Sequence, residues 1–313
     1  MRIAVFGAGA AGGLVAGFLT DAGYEVGLIA RGERLRTIRE HGIQVESYIR
    51  PILARPAMVT SDPAEVGPVD AVILCVKAWQ VLEAAVALKP LLKAETCILT
   101  LQNGVEAPSQ VASIVGQGHA LVGIGTFVSL STGLNQVKHI ADVHPTFRFG
   151  EHGSGPSPRV AMLRQALEEA SFSVATPPEI NVETELWAKF AGVATNGGVG
   201  AITRAQAGVW RRLPGSRQMR FDAVNEVLAI ARARGVRFPV SIADGIMGVV
   251  DAYPPEMTAS MQRDIMEGKP SELENQVGAI VRLGKEGGIQ TPVNSLIYAA
   301  LLPQEMKARG QVG

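Results

Sequence analysis

The amino-acid sequence predicts an α/β domain followed by an all-α domain. Short apolar runs without polar alternation recur up to about residue 115, and they lie at 3–6, 26–29, 72–76, 97–101 and, more weakly, 57–60. Such runs are typical of strands that are buried on both faces of a parallel sheet. Helical patterns separate them, and after residues 176–178 the chain has helical periodicity almost throughout. We therefore predict two domains, at 1–180 and 181–313.

The composition limits the class of protein. Hydrophobic residues make up 47% of the 313 residues and charged residues 19%, which favours a well-packed, enzyme-like protein over a disordered one. Lys plus Arg and Asp plus Glu both number 29, so we expect neither a nucleic-acid nor a membrane partner. Cys75 and Cys97 each lie in an apolar run, and two cysteines cannot form a disulfide framework. These features indicate the reducing cytoplasm.

The opening of the chain allows three interpretations. No charged residue occurs from Ile3 to Thr20, and Arg2 alone precedes this run. Such a run is compatible with a signal peptide, with a membrane span, or with a strand–turn–helix unit. The run before Ala8 is too short for a signal peptide, and five glycines within the stretch would weaken a spanning helix. The third interpretation is therefore favoured.

A glycine motif lies in the predicted turn. Its GxGxxG spacing comprises Gly7, Ala8, Gly9, Ala10, Ala11 and Gly12. In a dinucleotide-binding turn the first glycine forms the tight turn, the second lets pyrophosphate approach, and the third lets the helix pack on the strand. The free N–H groups at the start of the helix then bind the phosphates. The first domain is thus predicted to be a Rossmann-type dinucleotide-binding domain.

The second strand predicts which dinucleotide is bound. An NAD-binding fold usually has an acidic residue at the end of this strand, where it holds the ribose 2′-hydroxyl. This chain has Arg31 there, with Arg34 and Arg36 nearby. A guanidinium at this point favours a 2′-phosphate, and hence NADP. The alternative is an ordinary surface arginine.

Further elements follow from the same patterns. Helices are expected at 34–41, 79–88, 108–114 and 159–170, antiparallel strands between 119 and 150, and a loop at 151–158. Residues 176–178 are expected to form a stiff linker. Beyond it, helices are expected to begin near Glu183, Gln218, Ser241, Ser271 and Thr291. Capping chemistry is expected at Ser271 with Glu274, and at Thr291 with Pro292.

The first helix of the second domain carries the strongest candidate for chemistry. Lys189 is the only cation in an otherwise apolar stretch, and Asn196 lies seven residues later on the same face. A lysine beside small residues could protonate an alkoxide as it forms. The alternative is a lysine whose head group reaches the surface. Glycines at 192, 197, 198 and 200 indicate close approach of another backbone or of a ligand.

Motifs along nearly the whole chain resemble those of the ketopantoate reductase (2-dehydropantoate 2-reductase) family. In order they read IAVFGAGAAGG, LIARG, VKAWQ, LQNGVE, WAKF and SMQRD…SELEN. The resemblance implies cofactor contacts at Gly7, Ala8, Gly9, Ala10, Ala11, Gly12, Arg31, Lys77, Gln80, Asn103 and Ser129. It implies catalytic roles for Lys189 and Glu272. Substrate contacts are implied at Asn103, Lys189 and Ser260, and Asn196 is an additional candidate.

Some of these residues could also have an ordinary structural role. Asn103-Gly104 is also an ordinary turn sequence. Glu272 follows a serine at an expected helix start, where the helix dipole favours a carboxylate in any case. Lys77, by contrast, directly follows a predicted strand, and open α/β sheets bind their ligands at the carboxyl ends of their strands.

The chain also departs from the family. Members have asparagines four and eight residues after the lysine, to hold the substrate; here those positions are Val193 and Gly197. A third substrate asparagine has no clear counterpart in AQAGVW. Each unmade hydrogen bond to a buried ligand costs about 1–3 kcal/mol, so the missing asparagines leave the identity of the substrate open. The reduction chemistry itself should survive.

The resemblance implies NADPH-dependent reduction of a small 2-oxo acid, first of all ketopantoate, as in pantothenate biosynthesis. The alternatives are a related reductase of another branched 2-oxo acid and a non-catalytic NADP-binding regulator. We expect no metal, because the five histidines show no ligand spacing, and no Gly-x-Ser-x-Gly hydrolase elbow is present. A homodimer is one alternative for the oligomeric state.

Overall fold

A computed structural model describes residues 1–140, 144–152, 155, 157–175 and 181–312. The chain divides into two compact units. The first comprises Met1–Gln102 with Glu106–Val182, and the second comprises Asn103–Val105 with Glu183–Gly313. The short segment Asn103–Val105 thus belongs with the C-terminal unit although it is distant from it in sequence.

The first unit contains twelve strands and six α-helices in the described residues. The strands are β1 (Arg2–Phe6), β2 (Glu25–Ile29), β3 (Ile43–Glu46), β4 (Ile52–Ala54), β5 (Met58–Thr60), β6 (Ala71–Leu74), β7 (Cys97–Thr100), β8 (Ala120–Thr126), β9 (Val128–Ser131), β10 (Gln136–Ile140), β11 (Thr146–Glu151) and β12 (Ser173–Val174). The helices are α1 (Ala10–Asp21), α2 (Gly32–His41), α3 (Pro63–Val66), α4 (Val81–Ala87), α5 (Ala107–Val115) and α6 (Pro158–Glu169). Two short 3-10 turns, Ala78–Gln80 and Lys89–Leu91, flank α4.

An eight-stranded sheet forms the centre of this unit, in the order β12-β11-β8-β7-β6-β1-β2-β5. All neighbours pair in parallel except β8 and β11. The chain order reverses at β1, which has β2 on one side and β6 on the other. Open α/β sheets bind their ligands at such a reversal, outside the carboxyl ends of the strands. The predicted α/β class, with a helical part after it, is confirmed.

The uncharged opening stretch forms β1 and α1, as the favoured interpretation requires. β1 is buried from its second residue onward, and α1 buries most of its length against the rest of the unit. Within the described part of the chain, no helix combines the length and the apolarity needed to cross a membrane.

A second, four-stranded sheet has the order β4-β3-β10-β9, and sequence patterns alone had not indicated β3 and β4. The antiparallel strands expected between 119 and 150 are confirmed among themselves, because β8 pairs with β11 and β9 pairs with β10 in antiparallel fashion. The sequence patterns had not indicated that β8 also pairs in parallel with β7, and β10 with β3. Glycines in α1 allow this sheet to pack closely. A Cβ at Gly13 would lie 2.7 Å from Val137, and one at Gly17 would lie 2.7 Å from Val45.

The second unit is helical in its described residues. Its α-helices are α7 (Val182–Thr203, which begins at the last residue of the first unit), α8 (Ala207–Trp210), α9 (Pro214–Ala233), α10 (Ile242–Asp251), α11 (Ser260–Met266), α12 (Ala279–Gly287) and α13 (Pro292–Ala308). A single π-helical turn, Glu274–Gly278, leads directly into α12. Two apolar clusters hold the unit together, one around Phe190 and Val227 and the other around Trp210 and Ile297.

Several helix starts differ from the sequence-based expectation. The helix expected near Gln218 begins at Pro214, where proline at the first position suits a helix start. The capping box at Ser271 is absent, because the Glu274 carboxylate binds Arg282 and Tyr298 instead. Thr291 precedes α13, but its side chain does not cap the helix. The linker expected at 176–178 lies outside the described residues, as does part of the loop expected at 151–158.

Candidate active site

The turn between β1 and α1 has the geometry that close approach of a phosphate requires. Gly7 has a φ of +106°, in the region that favours glycine. A Cβ at Gly12 would lie 1.8 Å from the backbone oxygen of Gly7, so α1 can start this close to β1 only without a side chain there. A Cβ at Gly9 would meet nothing within 4 Å, and α1 begins at Ala10 without a side-chain cap. The N–H groups of Ala10, Ala11 and Gly12 are thus left for a ligand, at the positive end of the helix dipole.

Arg31 lies just beyond the carboxyl end of β2 and precedes α2. Its Nη1 is 3.0 Å from Glu83 Oε1, and the two side chains are 63% and 65% exposed. An ion pair this exposed contributes little free energy. The guanidinium is therefore available to a more strongly charged anion, such as a phosphate monoester.

Lys77 follows β6 at the same edge of the sheet, on the other side of β1. Its backbone N–H donates to Gln80 Oε1 at 3.2 Å, which ties the Gln80 side chain to this turn. The Lys77 ammonium lies 5.7 Å from the ring centroid of Trp79. Gly7, Arg31 and Lys77 therefore follow three adjacent parallel strands at their carboxyl ends.

Ser129 lies elsewhere in the same unit. It is half-buried on β9, the edge strand of the four-stranded sheet, opposite His139 of β10. Its place in the fold is thus on a different sheet from the three strand ends that carry the other cofactor candidates.

In the second unit, Lys189 and Asn103 meet although 86 residues separate them. The Lys189 ammonium donates to Asn103 Oδ1 at 3.2 Å. Lys189 projects from α7, and Asn103 comes from the segment that packs with this unit. The asparagine thereby fixes the position of the lysine head group, which is held half-buried and does not extend freely to the surface.

Burial changes the acidity of this lysine. It lowers the pKa of Lys189 from 10.5 to about 8, and the negative charge of Glu272 offsets part of that effect. At neutral pH the group is therefore mostly an ammonium, but one that releases its proton more readily than an exposed lysine does. A general acid works best when its pKa lies near the working pH, so the environment suits proton donation.

Glu272 is held next to a buried polar cluster. Both the backbone N–H and the hydroxyl of the preceding Ser271 donate to the Glu305 carboxylate, at 3.1 Å and 2.6 Å. Arg309 donates to Glu305 at 2.6 Å and to the Ser271 carbonyl at 2.8 Å. Glu305 is only 4% exposed, so this cluster anchors the backbone from which Glu272 projects.

Gln276 is a residue of this site that sequence reasoning had missed. It lies in the π-helical turn, 1% exposed, and its Nε2 donates to Glu272 Oε2 at 3.4 Å. Its Oε1 is buried and has no hydrogen-bond partner within the described residues. The signal that could have indicated it is a polar side chain in an apolar helical pattern four residues after Glu272.

Asn196 and Ser260 are less directly connected. Asn196 is 9% exposed on α7, seven residues after Lys189. Ser260 is the first residue of α11 and is half-buried. Asn103, Lys189 and Glu272 are thus brought together by contact or charge. In the described ranges, no three or more histidine, cysteine or acidic side chains group in a way that could hold a metal ion.

Two protein-family models match the chain. The model of ketopantoate reductase PanE/ApbA matches residues 3–154. The model of the ketopantoate reductase PanE/ApbA C terminal matches residues 181–305. The two matches follow each other along almost the whole chain.

Individual proteins extend this similarity. A 2-dehydropantoate 2-reductase of Mycobacterium tuberculosis is 31% identical over 304 residues, which cover 96% of each chain. The crystal structure of a PanE/ApbA family ketopantoate reductase from Ralstonia eutropha JMP134 is 30% identical, has a TM-score of 0.88, and matches 99% of this chain and 100% of that one. The ternary structure of D-mandelate dehydrogenase with NADH and anilino(oxo)acetate is 24% identical over 99% of both chains, with a TM-score of 0.88. The last match shows a shared fold.

Proposed function

Because the chain belongs to the ketopantoate reductase PanE/ApbA family, a family of oxidoreductases, we propose that it catalyses NADPH-dependent reduction of a small 2-oxo acid. The first candidate substrate is 2-dehydropantoate (ketopantoate), which would give pantoate, as in pantothenate biosynthesis. The observation that carries this proposal is the Lys189–Asn103 pair with its lowered lysine pKa, because it supplies a placed acid for a carbonyl oxygen.

The first unit supplies the features that suit a dinucleotide. The turn at Gly7, the open space at Gly9 and the uncapped start of α1 fit a pyrophosphate. Arg31 and Lys77 would bind the 2′-phosphate of NADP, with Gln80 near the adenosine. We propose NADPH over NADH because Arg31 and Lys77 both follow strands at this edge of the sheet. Arg31 stands where an NAD-binding fold usually has an acidic residue that holds the ribose 2′-hydroxyl.

When bound, the reduced nicotinamide supplies the hydride. Lys189, as an ammonium, would polarise the substrate carbonyl and give its proton to the oxygen as the alcohol forms. Asn103 holds the lysine head group in one place, which provides the orientation that such a transfer needs. Glu272 favours the charged form of Lys189, and Ser260, with Asn103, would bind the substrate carboxylate.

The second candidate function is reduction of a different branched 2-oxo acid. Val193 and Gly197 favour it, because they place no amide side chain on α7 where a polar substrate would be held. A third alternative, an NADP-binding regulator without turnover, would not need a half-buried lysine with a lowered pKa. The free cysteines Cys75 and Cys97 suit the reducing cytoplasm that we propose as the protein's location, and the homodimer stays a prediction.

The test is a screen of NADPH oxidation by the purified protein with a panel of 2-oxo acids that includes ketopantoate. We expect turnover with at least one branched 2-oxo acid. Turnover of ketopantoate well above the others supports the first candidate, and turnover of another branched acid supports the second. Cofactor binding without turnover on the whole panel would reject the reductase proposal in favour of the regulator.

A further inference from the structure

The amide of Gln276 has one satisfied end and one free end. Its Nε2 donates to Glu272 Oε2 at 3.4 Å, while its Oε1 is buried without a hydrogen-bond partner in the described parts of the chain. A carboxylate can only accept hydrogen bonds, so the NH₂ end of the amide must face Glu272. The direction of the free oxygen is therefore set by its neighbour and is not an arbitrary choice between the two ends of the amide.

The free oxygen points toward α7. It lies 3.6 Å from the position that a Cβ at Gly197 would occupy. Gly197 is eight residues after Lys189, which is about two helical turns. The polar groups thus form a continuous set, in which Asn103 contacts Lys189, Lys189 interacts electrostatically with Glu272, and Glu272 binds Gln276.

A buried acceptor without a donor is unfavourable, because it has lost its water and gained nothing in exchange. Native proteins retain few such groups, and those retained need an explanation. Here the free oxygen lies at the end of the polar set that contains the proposed acid. A hydrogen-bond donor on the substrate would complete it.

We propose that Gln276 Oε1 accepts a hydrogen bond from a hydroxyl group on the substrate, and that Gln276 thereby determines a preference for hydroxylated 2-oxo acids. This inference rests on the proposed function. Val193 and Gly197 by themselves favour a substrate other than ketopantoate. Gln276 reverses that preference, because the polar group absent from α7 is supplied from the π-helical turn. The part of α7 around Val193 and Gly197 is then apolar, and one acceptor faces it from the π-helical turn.

Met261 accounts for how a substrate could reach a buried oxygen. Its terminal methyl lies 2.9 Å from the same Cβ position at Gly197, and the side chain is 1% exposed on α11. Methionine has three rotatable side-chain bonds and fills irregular gaps. We expect this methyl group to turn aside when a substrate hydroxyl takes its place beside Gln276.

The experiment compares two substrates that differ by one hydroxyl, ketopantoate and 3,3-dimethyl-2-oxobutanoate. With the native protein and saturating NADPH, we expect kcat/KM to favour ketopantoate by about tenfold to hundredfold, as one hydrogen bond to a buried group implies. In Gln276→Met the ratio should fall to within about threefold of one. The fall should come from the hydroxylated substrate alone. An unchanged ratio in the variant, or no preference for ketopantoate in the native protein, overturns the inference.

Asn294 offers a matched control. It is 0% exposed, its Oδ1 also lacks a partner in the described residues, and its Nδ2 donates to Glu226 and to the Ala223 carbonyl. These partners lie on α9, apart from the π-helical turn that carries Gln276. Asn294→Leu should lower thermal stability but leave the substrate ratio unchanged, which separates a specific role of Gln276 from the general effect of removing a buried amide.

A second variant covers the case in which Gln276→Met does not fold. Gln276→Asn keeps the amide but draws its oxygen back by one methylene, and it should also lower the ratio. A native ratio in this variant contradicts the inference. If neither substrate nor any other 2-oxo acid is reduced, the proposed function fails and the inference fails with it. If both substrates are reduced and substitutions of Gln276 leave the kcat/KM ratio unchanged, only the inference fails.

Discussion

Two glycine-rich helices, α1 in the first unit and α7 in the second, each carry some of the candidate site residues, but they use glycine differently. In α1, a Cβ at Gly12 would meet a backbone oxygen at 1.8 Å. In α7, a Cβ at Gly197 would meet the terminal methyl of Met261 at 2.9 Å. Backbone cannot yield, whereas the end of a methionine can. The comparison indicates that the proposed phosphate site is rigid and that the proposed substrate site is adaptable.

The two regions also differ in how their charges are held. Arg31 is largely exposed and its partner Glu83 is exposed as well, whereas Lys189 is partly buried and its pKa is lowered. Exposed charges interact through water and salt, and their effects are modest. Changes at Lys189 should therefore affect the chemical step strongly, and changes at Arg31 should alter affinity by a smaller factor.

The largest effect is expected from Lys189→Met, which removes the ammonium but keeps most of the side-chain volume. Loss of a general acid typically lowers kcat by about 10²–10⁴-fold. NADPH binding should stay near native, because the lysine is assigned to the substrate. Steady-state kinetics and cofactor titration measure the two effects, with Lys285→Met, an exposed lysine on α12, as the control. Near-native turnover would make Lys189 only a structural residue.

The next effect tests the contrast between the glycines directly. Gly12→Ala forces a methyl group onto the backbone of Gly7, so we expect NADPH affinity to fall by about 10²-fold or the unit to lose stability. In Gly197→Ala the single close contact, at 2.9 Å, is with the flexible end of Met261, and NADPH affinity should change by less than about threefold. Fluorescence titration of the cofactor and thermal unfolding measure both. Equal effects of the two variants would remove the distinction between a rigid and an adaptable site.

The pH dependence should follow the lowered pKa of Lys189. A lysine is active as an acid only while protonated, so its activity is complete below its pKa and is lost as the pH rises through about 8. We expect kcat/KM for 2-oxo acid reduction to fall about tenfold per pH unit above that value. A profile that stays level up to pH 10, the range of an unperturbed lysine, would contradict an acid of lowered pKa.

The smallest effect is expected at Arg31. Arg31→Ala should weaken NADPH binding by about tenfold or more and leave NADH binding unchanged, because a charge-assisted contact to the 2′-phosphate is lost. Glu83→Gln frees the same guanidinium from its carboxylate partner and should shift the preference toward NADPH by a few-fold. Arg36→Ala, on the helix α2 that Arg31 precedes, serves as the control. Equal affinity of the native protein for both cofactors would reject the NADP assignment.

The sequence alone determined the features that depend on neighbouring residues. The turn from β1 to α1 could be predicted because its glycines, its apolar strand and its uncapped helix start lie within twenty residues. The place of Arg31 after β2 could be predicted for the same reason. Lys189 could be singled out because one charge in an apolar helix is visible without knowing what packs around it.

Only the tertiary structure decided which distant residues meet. The four-stranded sheet joins β3 to β10, and the Lys189–Asn103 contact spans 86 residues. The proposed role of Gln276 Oε1 can be inferred only from its position beside Gly197 and Glu272. Periodicity reports which face of an element is apolar, but not which other element covers that face, because the pairing is settled by packing and hydrogen bonding among all of them.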